Sequence, residues 1–172
     1  QPGCRQPPQG LSAWSLNHKA LTFWTVSYTR EASADAIGWL EQALALEPDN
    51  AISHALLGFV LNQRVVNSFA EDPVAENRRA LAEVDAALRL APRDATVMEY
   101  ASLVWLNCGL RTRSIQTARR VVAISPFNMV AWGCLGCGLA WGGSGSEREE
   151  GFAILHRLLK VAPNHPSFPF WH

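Results

Sequence analysis

Four prolines punctuate the chain and limit what it can fold into. They stand in the runs Leu46-Glu47-Pro48-Asp49, Leu90-Ala91-Pro92-Arg93, Ile124-Ser125-Pro126-Phe127 and Val161-Ala162-Pro163-Asn164. Each follows an apolar stretch with helical spacing. Pro48 shows the logic. Before it, Trp39, Leu40, Ala43, Leu44 and Leu46 recur on one face of a helix; after it, Leu56, Leu57, Phe59, Val60 and Leu61 do the same. Proline has no amide hydrogen and biases the residue before it away from helical angles, so the helix must stop there. Two amphipathic helices joined this tightly fold back on one another, because neither can bury its apolar stripe alone. The prolines fall at intervals of 44, 34 and 37 residues. The predicted fold is therefore all-α, built by repeating a two-helix unit.

A period near 34 residues with two helices per unit is the tetratricopeptide (TPR) signature, and the residues carry that resemblance. His54, Leu57-Gly58 and Leu61 match the first-helix pattern of a bulky residue, Leu-Gly and a further large residue; Ala80, Val84, Ala87 and Pro92 match the second. Trp132, Leu135-Gly136 and Leu139, then Gly151, Leu155, Leu158 and Pro163, repeat the match. In the third unit Ala101-Ser102 replaces Leu-Gly, while Trp105, Ala118 and Pro126 hold; the first unit shows Phe23-Trp24, Ala36, Leu40, Ala43 and Pro48. The resemblance implies a right-handed α-solenoid of about four helix pairs, with repeats at about 17–50, 51–94, 95–128 and 129–164 inside a solenoid spanning 12–164, and a truncated fifth repeat. Residues 1–11, rich in Pro and Gly, read as a flexible lead-in, and 165–172 as the start of a further repeat or an aromatic tail. Small residues such as Gly58, Ala80, Ala87 and Gly136 are expected where two helices approach closely. Two units exceed the period, through Val65–Glu76 and Gly142–Ser146, and both excesses read as turns between paired helices. A narrower likeness runs from Trp14 to Pro48 and to Asn164-His165-Pro166. It is similar to the TPR region of bacterial winged-helix transcriptional regulators and cyclase-type regulators, without any DNA-binding or cyclase segment.

Composition narrows function further. Lys plus Arg number 15 and Asp plus Glu 15, a balance that disfavours nucleic acid or an anionic membrane as the main partner. No apolar run approaches the roughly 20 residues of a membrane span. Gln1–Gly10 lacks the apolar core of a signal peptide, so the expected compartment is cytoplasmic, or periplasmic if the chain belongs to a membrane-anchored regulator. Cys134-Leu135-Gly136-Cys137 is a C-x-x-C without the strand of a redox site or the second pair of a zinc site; its plain reading is two small residues packing in a helix. The five histidines have no ligand spacing, and neither a nucleophile elbow nor a phosphate loop occurs. The expectation is thus no catalytic residue, no metal and no cofactor. Arginines 78, 79, 89, 93, 111, 113, 119 and 120 form the one basic cluster, expected on the convex side as a solvated face.

The sharper functional expectation is the groove that first helices line in the tetratricopeptide arrangement. Counting along each first helix gives Tyr28, Phe59, Asn62, Gln63, Glu99, Leu103, Asn107 and Trp141 as partner-binding candidates. This set holds one acid and no Lys or Arg, so capture of a carboxylate is disfavoured. It suits an apolar helix or an extended segment whose backbone bonds to Asn62, Gln63 and Asn107. The predicted function is a non-catalytic module that binds a protein or peptide partner. The alternative is a sensory or oligomerisation segment of a bacterial regulator, forming a homo-oligomer through the C-terminal end.

Overall fold

A computed structural model describes residues 12–161 and 163. Among them are eight α-helices and no strand: α1 Ala13–Ser27, α2 Arg30–Leu46, α3 Ala51–Val66, α4 Pro73–Leu90, α5 Ala95–Asn107, α6 Arg111–Ile124, α7 Met129–Gly142 and α8 Ser146–Val161. Successive helices pair as α1/α2, α3/α4, α5/α6 and α7/α8. Each first helix also packs on the first helix of the neighbouring pair, and each second helix on the first helix that follows it. The result is a right-handed TPR-type solenoid. The expected fifth repeat and the lead-in lie outside the described residues.

The proline seams explain the stacking. At Pro48, Pro92 and Pro126 the second helix ends, proline takes the second position of a four-residue turn, and an Asn or Asp caps the next helix. Asn50 N–H donates to the Glu47 carbonyl (3.1 Å), Asp94 to Ala91 (3.2 Å) and Asn128 to Ser125 (3.0 Å), the bond that closes a β-turn with proline where its fixed φ fits. The same three side chains accept from the first turn of the new helix: Asn50 from Ser53, Asp94 from Thr96 and Val97, Asn128 from Ala131. The three described seams share this turn and cap, and the pairs stack in sequence across them. α1 opens earlier than the repeat boundary near residue 17. Ser12 forms a capping box with Ser15, which starts the helix at Ala13.

Small residues sit where paired helices touch. A Cβ placed on Gly58 would lie 2.7 Å from Val84 Cγ1 and 2.9 Å from the Ala80 carbonyl oxygen. The third pair lacks this glycine, yet it closes by other means: Ser102 is fully buried against Ser114 of α6 and donates to its carbonyl oxygen at 3.1 Å. Between pairs, Ala87 of α4 meets Val97 of α5 beside Ala55, and Val121 of α6 meets Ala131 of α7 beside Met98. The long second unit does not form the extended turn expected over Val65–Glu76. α3 continues to Val66, and Asp72 with Pro73 at its first position starts α4, leaving 67–72 as the link. Arg64 anchors that link, bonding Glu76 through two nitrogens (2.9 and 3.3 Å), Ser33 Oγ (2.8 Å) and the Phe69 carbonyl (3.3 Å).

Gly58→Ala should therefore destabilise the chain by about 1–3 kcal/mol through overpacking of α3 on α4, measured by urea unfolding. Gly38→Ala, on α2 with nothing within 4 Å of an added Cβ, should be neutral or stabilising by up to roughly 1 kcal/mol, since alanine is the better helix former. Equal effects at the two sites would contradict the close approach.

Candidate partner-binding groove

The first helices share one register when counted from their caps, Ser12, Asn50, Asp94 and Asn128. Nine residues on stand Leu21, Phe59, Leu103 and Cys137; thirteen on stand Thr25, Gln63, Asn107 and Trp141. Because α1, α3, α5 and α7 lie side by side, these residues form rows running across the helices. The first row is apolar and half-buried to buried. The second is more open, with Trp141 64% exposed and Asn107 also exposed.

The eight candidates divide into walls and free groups. Phe59 is half-buried; its ring packs on Tyr100 of α5 at a 5.1 Å centroid distance. Leu103 packs onto the cluster between α5 and α7. Asn62 is buried and fully occupied. Its amide nitrogen donates to Asn77 of α4 (3.2 Å) and lies 3.6 Å from Cys108 Sγ, and its carbonyl oxygen accepts from Asn107 Nδ2 (2.7 Å). Gln63 is buried too, at the end of α3, where Asn67 bonds its backbone carbonyl. Asn107 and Trp141 remain exposed. Tyr28 takes a left-handed conformation (φ 39°) as the C-cap of α1, with its ring 5.0 Å from Trp24. Tyr28 and Trp141 thus mark opposite ends of the stack.

Glu99 is the acid of the set. Burial raises its carboxyl above the ordinary range, and the hydrogen bond from Asn128, the cap of α7, only partly opposes this. The cation that none of the counted positions supplies comes from α6. A Cβ added to Gly142 would fall on the guanidinium of Arg111, so that side chain covers the backbone next to Trp141. No sequence count along the first helices could reveal it. Three other members of the arginine cluster pair across the second helices instead: Arg79 with Glu41 (2.6 Å), Arg113 with Asp85 (3.1 Å) and Arg119 with Glu150 (3.7 Å). Arg113 also covers the ring of Trp105 at 4.1 Å.

The C-x-x-C is an unreactive pair in this setting. Both thiols are buried in the α7 core, and desolvation pushes Cys134 to about 12 and Cys137 to about 11, where little nucleophilic thiolate exists at neutral pH. Among the described residues no group of three His, Cys, Asp or Glu is placed to hold a metal ion, and no helix is long and apolar enough to cross a membrane.

Comparison with known proteins agrees with this architecture. No family model matches the chain. A curated relative, interferon-induced protein with tetratricopeptide repeats 2 of Cricetulus griseus, is 25% identical over 130 residues, covering 76% of this chain. The chain spans about a quarter of that relative's length (24%). Among solved structures, TTC0263, a thermophilic TPR protein of Thermus thermophilus, superposes with a TM-score of 0.70 at 19% identity, over 95% of this chain and 79% of its own. MamA superposes at 0.60 with 17% identity, over 89% of this chain and 81% of its own. The O-GlcNAc transferase of Thermobaculum terrenum reaches 0.65 at 14% identity, but the match covers 27% of that enzyme. These likenesses establish the fold.

The raised carboxyl of Glu99 gives a signed pH dependence. Its folded form holds a proton more tightly than its unfolded form. Its contribution is therefore most favourable below the ordinary carboxylate range and is lost as pH rises through the raised value. Glu99→Gln should raise the melting temperature by a few degrees at pH 7–8, and the gain should shrink toward pH 4. A gain that grows on acidification would contradict the desolvated acid.

Proposed function

We propose that the chain is a non-catalytic interaction module that holds a segment of a partner protein across its row of first helices. The observation that carries this reading is a division of charge. The second helices carry the basic cluster and cross-pair three of its arginines with acids, while the counted positions of the first helices carry Glu99 as their one charge. That leaves an apolar row of Leu21, Phe59 and Leu103 bordered by exposed Asn107 and Trp141. Phe59, Leu103, Asn62 and Gln63 form the floor, and Tyr28, Asn107 and Trp141 are the groups free to touch a ligand. An extended or helical segment with apolar side chains at alternate or i, i+4 positions suits the row. Arg111 beside Trp141 provides for an acidic side chain at one end of that segment.

The alternative role, a sensory or oligomerisation segment of a bacterial regulator, rests on the sequence likeness of Trp14–Pro48. Light scattering distinguishes it, since that role requires a concentration-dependent oligomer.

The test is selection of peptides from a display library on the wild-type chain, followed by fluorescence anisotropy with the recovered sequences. Trp141→Ala should weaken them at least tenfold and Asn107→Ala severalfold, whereas Arg89→Ala, on a second helix, should leave affinity unchanged. Peptides indifferent to both groove substitutions would overturn the reading.

A further inference from the structure

Beyond α7 and α8 no further helix among the described residues covers the end of the stack. Phe127, Met129, Trp132, Ile154, Leu158 and Val161 line an apolar groove there of about 360 Å³. Phe127 is 94% exposed. Trp132 is fixed as a wall, its indole N–H donating to the Pro126 carbonyl at 2.9 Å. We propose that this groove is filled in cis by residues 164–172 of the same chain, with Phe168 seated over Leu158 and the segment running past it as an extended strap.

The repeat register supports the seating. Ser53, Val97 and Ala131 each stand five residues after a seam proline, and each is fully buried. Val97 meets Ala87, and Ala131 meets Val121, residues that stand five before the same prolines. Counted from Pro163, the same two positions are Leu158 and Phe168. The groove also departs from the earlier seams where an aromatic occupant would need it to. The residue after the seam proline is Asp49 or Arg93 at the first two seams and Phe127 here.

The strap follows from proline chemistry. Pro166 falls at the first helical position, which tolerates proline. Pro169 falls at the position of His54, Met98 and Trp132, whose N–H groups bond the cap carbonyls of Asn50, Asp94 and Asn128. Proline has no N–H to make that bond and its ring clashes with the carbonyl four residues back. The two prolines also lower the entropy lost on docking. Distance is no obstacle. Val161 lines the groove itself, and the five residues from Pro163 to Phe168 reach up to about 17 Å when extended.

The experiment places p-benzoylphenylalanine at position 168, an aromatic replacement that suits an apolar site. An equimolar mixture of ¹⁴N- and ¹⁵N-labelled chains is irradiated, and crosslinks are mapped by mass spectrometry. The expected result is a crosslink to Met129, Ile154, Leu158 or Val161 within one isotopic species. Crosslinks joining the two isotopes would show a second copy in the groove and overturn the cis assignment, as would crosslinks elsewhere or none. Phe168→Asp in the full chain should in addition speed amide exchange over Ile154–Val161 at least tenfold, leaving α3 and α4 unchanged. Unaltered exchange would also overturn it. Neither readout depends on the partner-binding row of first helices.

Discussion

The stack depends on one four-residue arrangement made three times. At Pro48, Pro92 and Pro126 a turn bond, a fixed proline φ and a polar cap together satisfy the backbone groups that a helix end and a helix start leave open. Because the geometry is the same each time, α3, α5 and α7 are delivered to equivalent places on the pair before them. Burial then follows: the residue five before a proline meets the residue five after it, as Ala87 meets Val97 and Val121 meets Ala131. Stability in such a chain is a sum of pair interiors and pair-to-pair contacts. A weakened seam is therefore a defect between neighbours more than a loss of the whole core.

The two sides of the solenoid are chemically different, and the difference comes from which helices carry charge. Glu41–Arg79, Asp85–Arg113 and Arg119–Glu150 link successive second helices, all with substantially exposed side chains. Each such pair adds at most about 1 kcal/mol. Their effect lies more in what they occupy than in how strongly they hold. Three of the eight clustered arginines, Arg79, Arg113 and Arg119, are committed to acidic neighbours, which makes that side a mixed surface where they stand. The first helices hold almost no charge, and Glu99 sits where burial opposes its ionisation.

Much of this was legible in the sequence, and the parts that were not have a common cause. The seams, the helix pairing and the small residue at Gly58 follow from rules local to a few residues or from the period. The weak third unit was legible only in part. Ala101-Ser102 reads as a lost Leu-Gly, whereas Ser102 keeps the close approach because the facing residue on α6 is another serine. The start of the helical region at residue 12 was legible, but the link at 67–72 depended on Arg64 reaching Ser33 and Glu76, a side-chain choice that periodicity does not report. In the groove, positions counted from the caps gave the rows. The count did not tell floor from rim, because Asn62 and Asn107 are both polar residues on a first helix. One is buried by α4 and α5; the other stays open. Arg111 escaped altogether, since it belongs to a second helix and reaches over Gly142.

The buried asparagine explains what kind of site the row can be. Asn62 bonds Asn77 on α4 and Asn107 on α5, so three helices meet at one polar side chain. A buried amide is costly unless satisfied, and here satisfaction requires α3, α4 and α5 to keep one register. The bond to Asn107 has a second effect. It fixes one N–H of the exposed Asn107 amide on the Asn62 carbonyl oxygen. Asn107 is thus held in place by the fold itself, so that in the proposed role the ordering of that side chain is not charged to binding. In the role proposed above, an apolar floor of Phe59 and Leu103 beside an immobilised amide would select for shape and backbone direction more than for charge, with Trp141 and Arg111 supplying discrimination at one end.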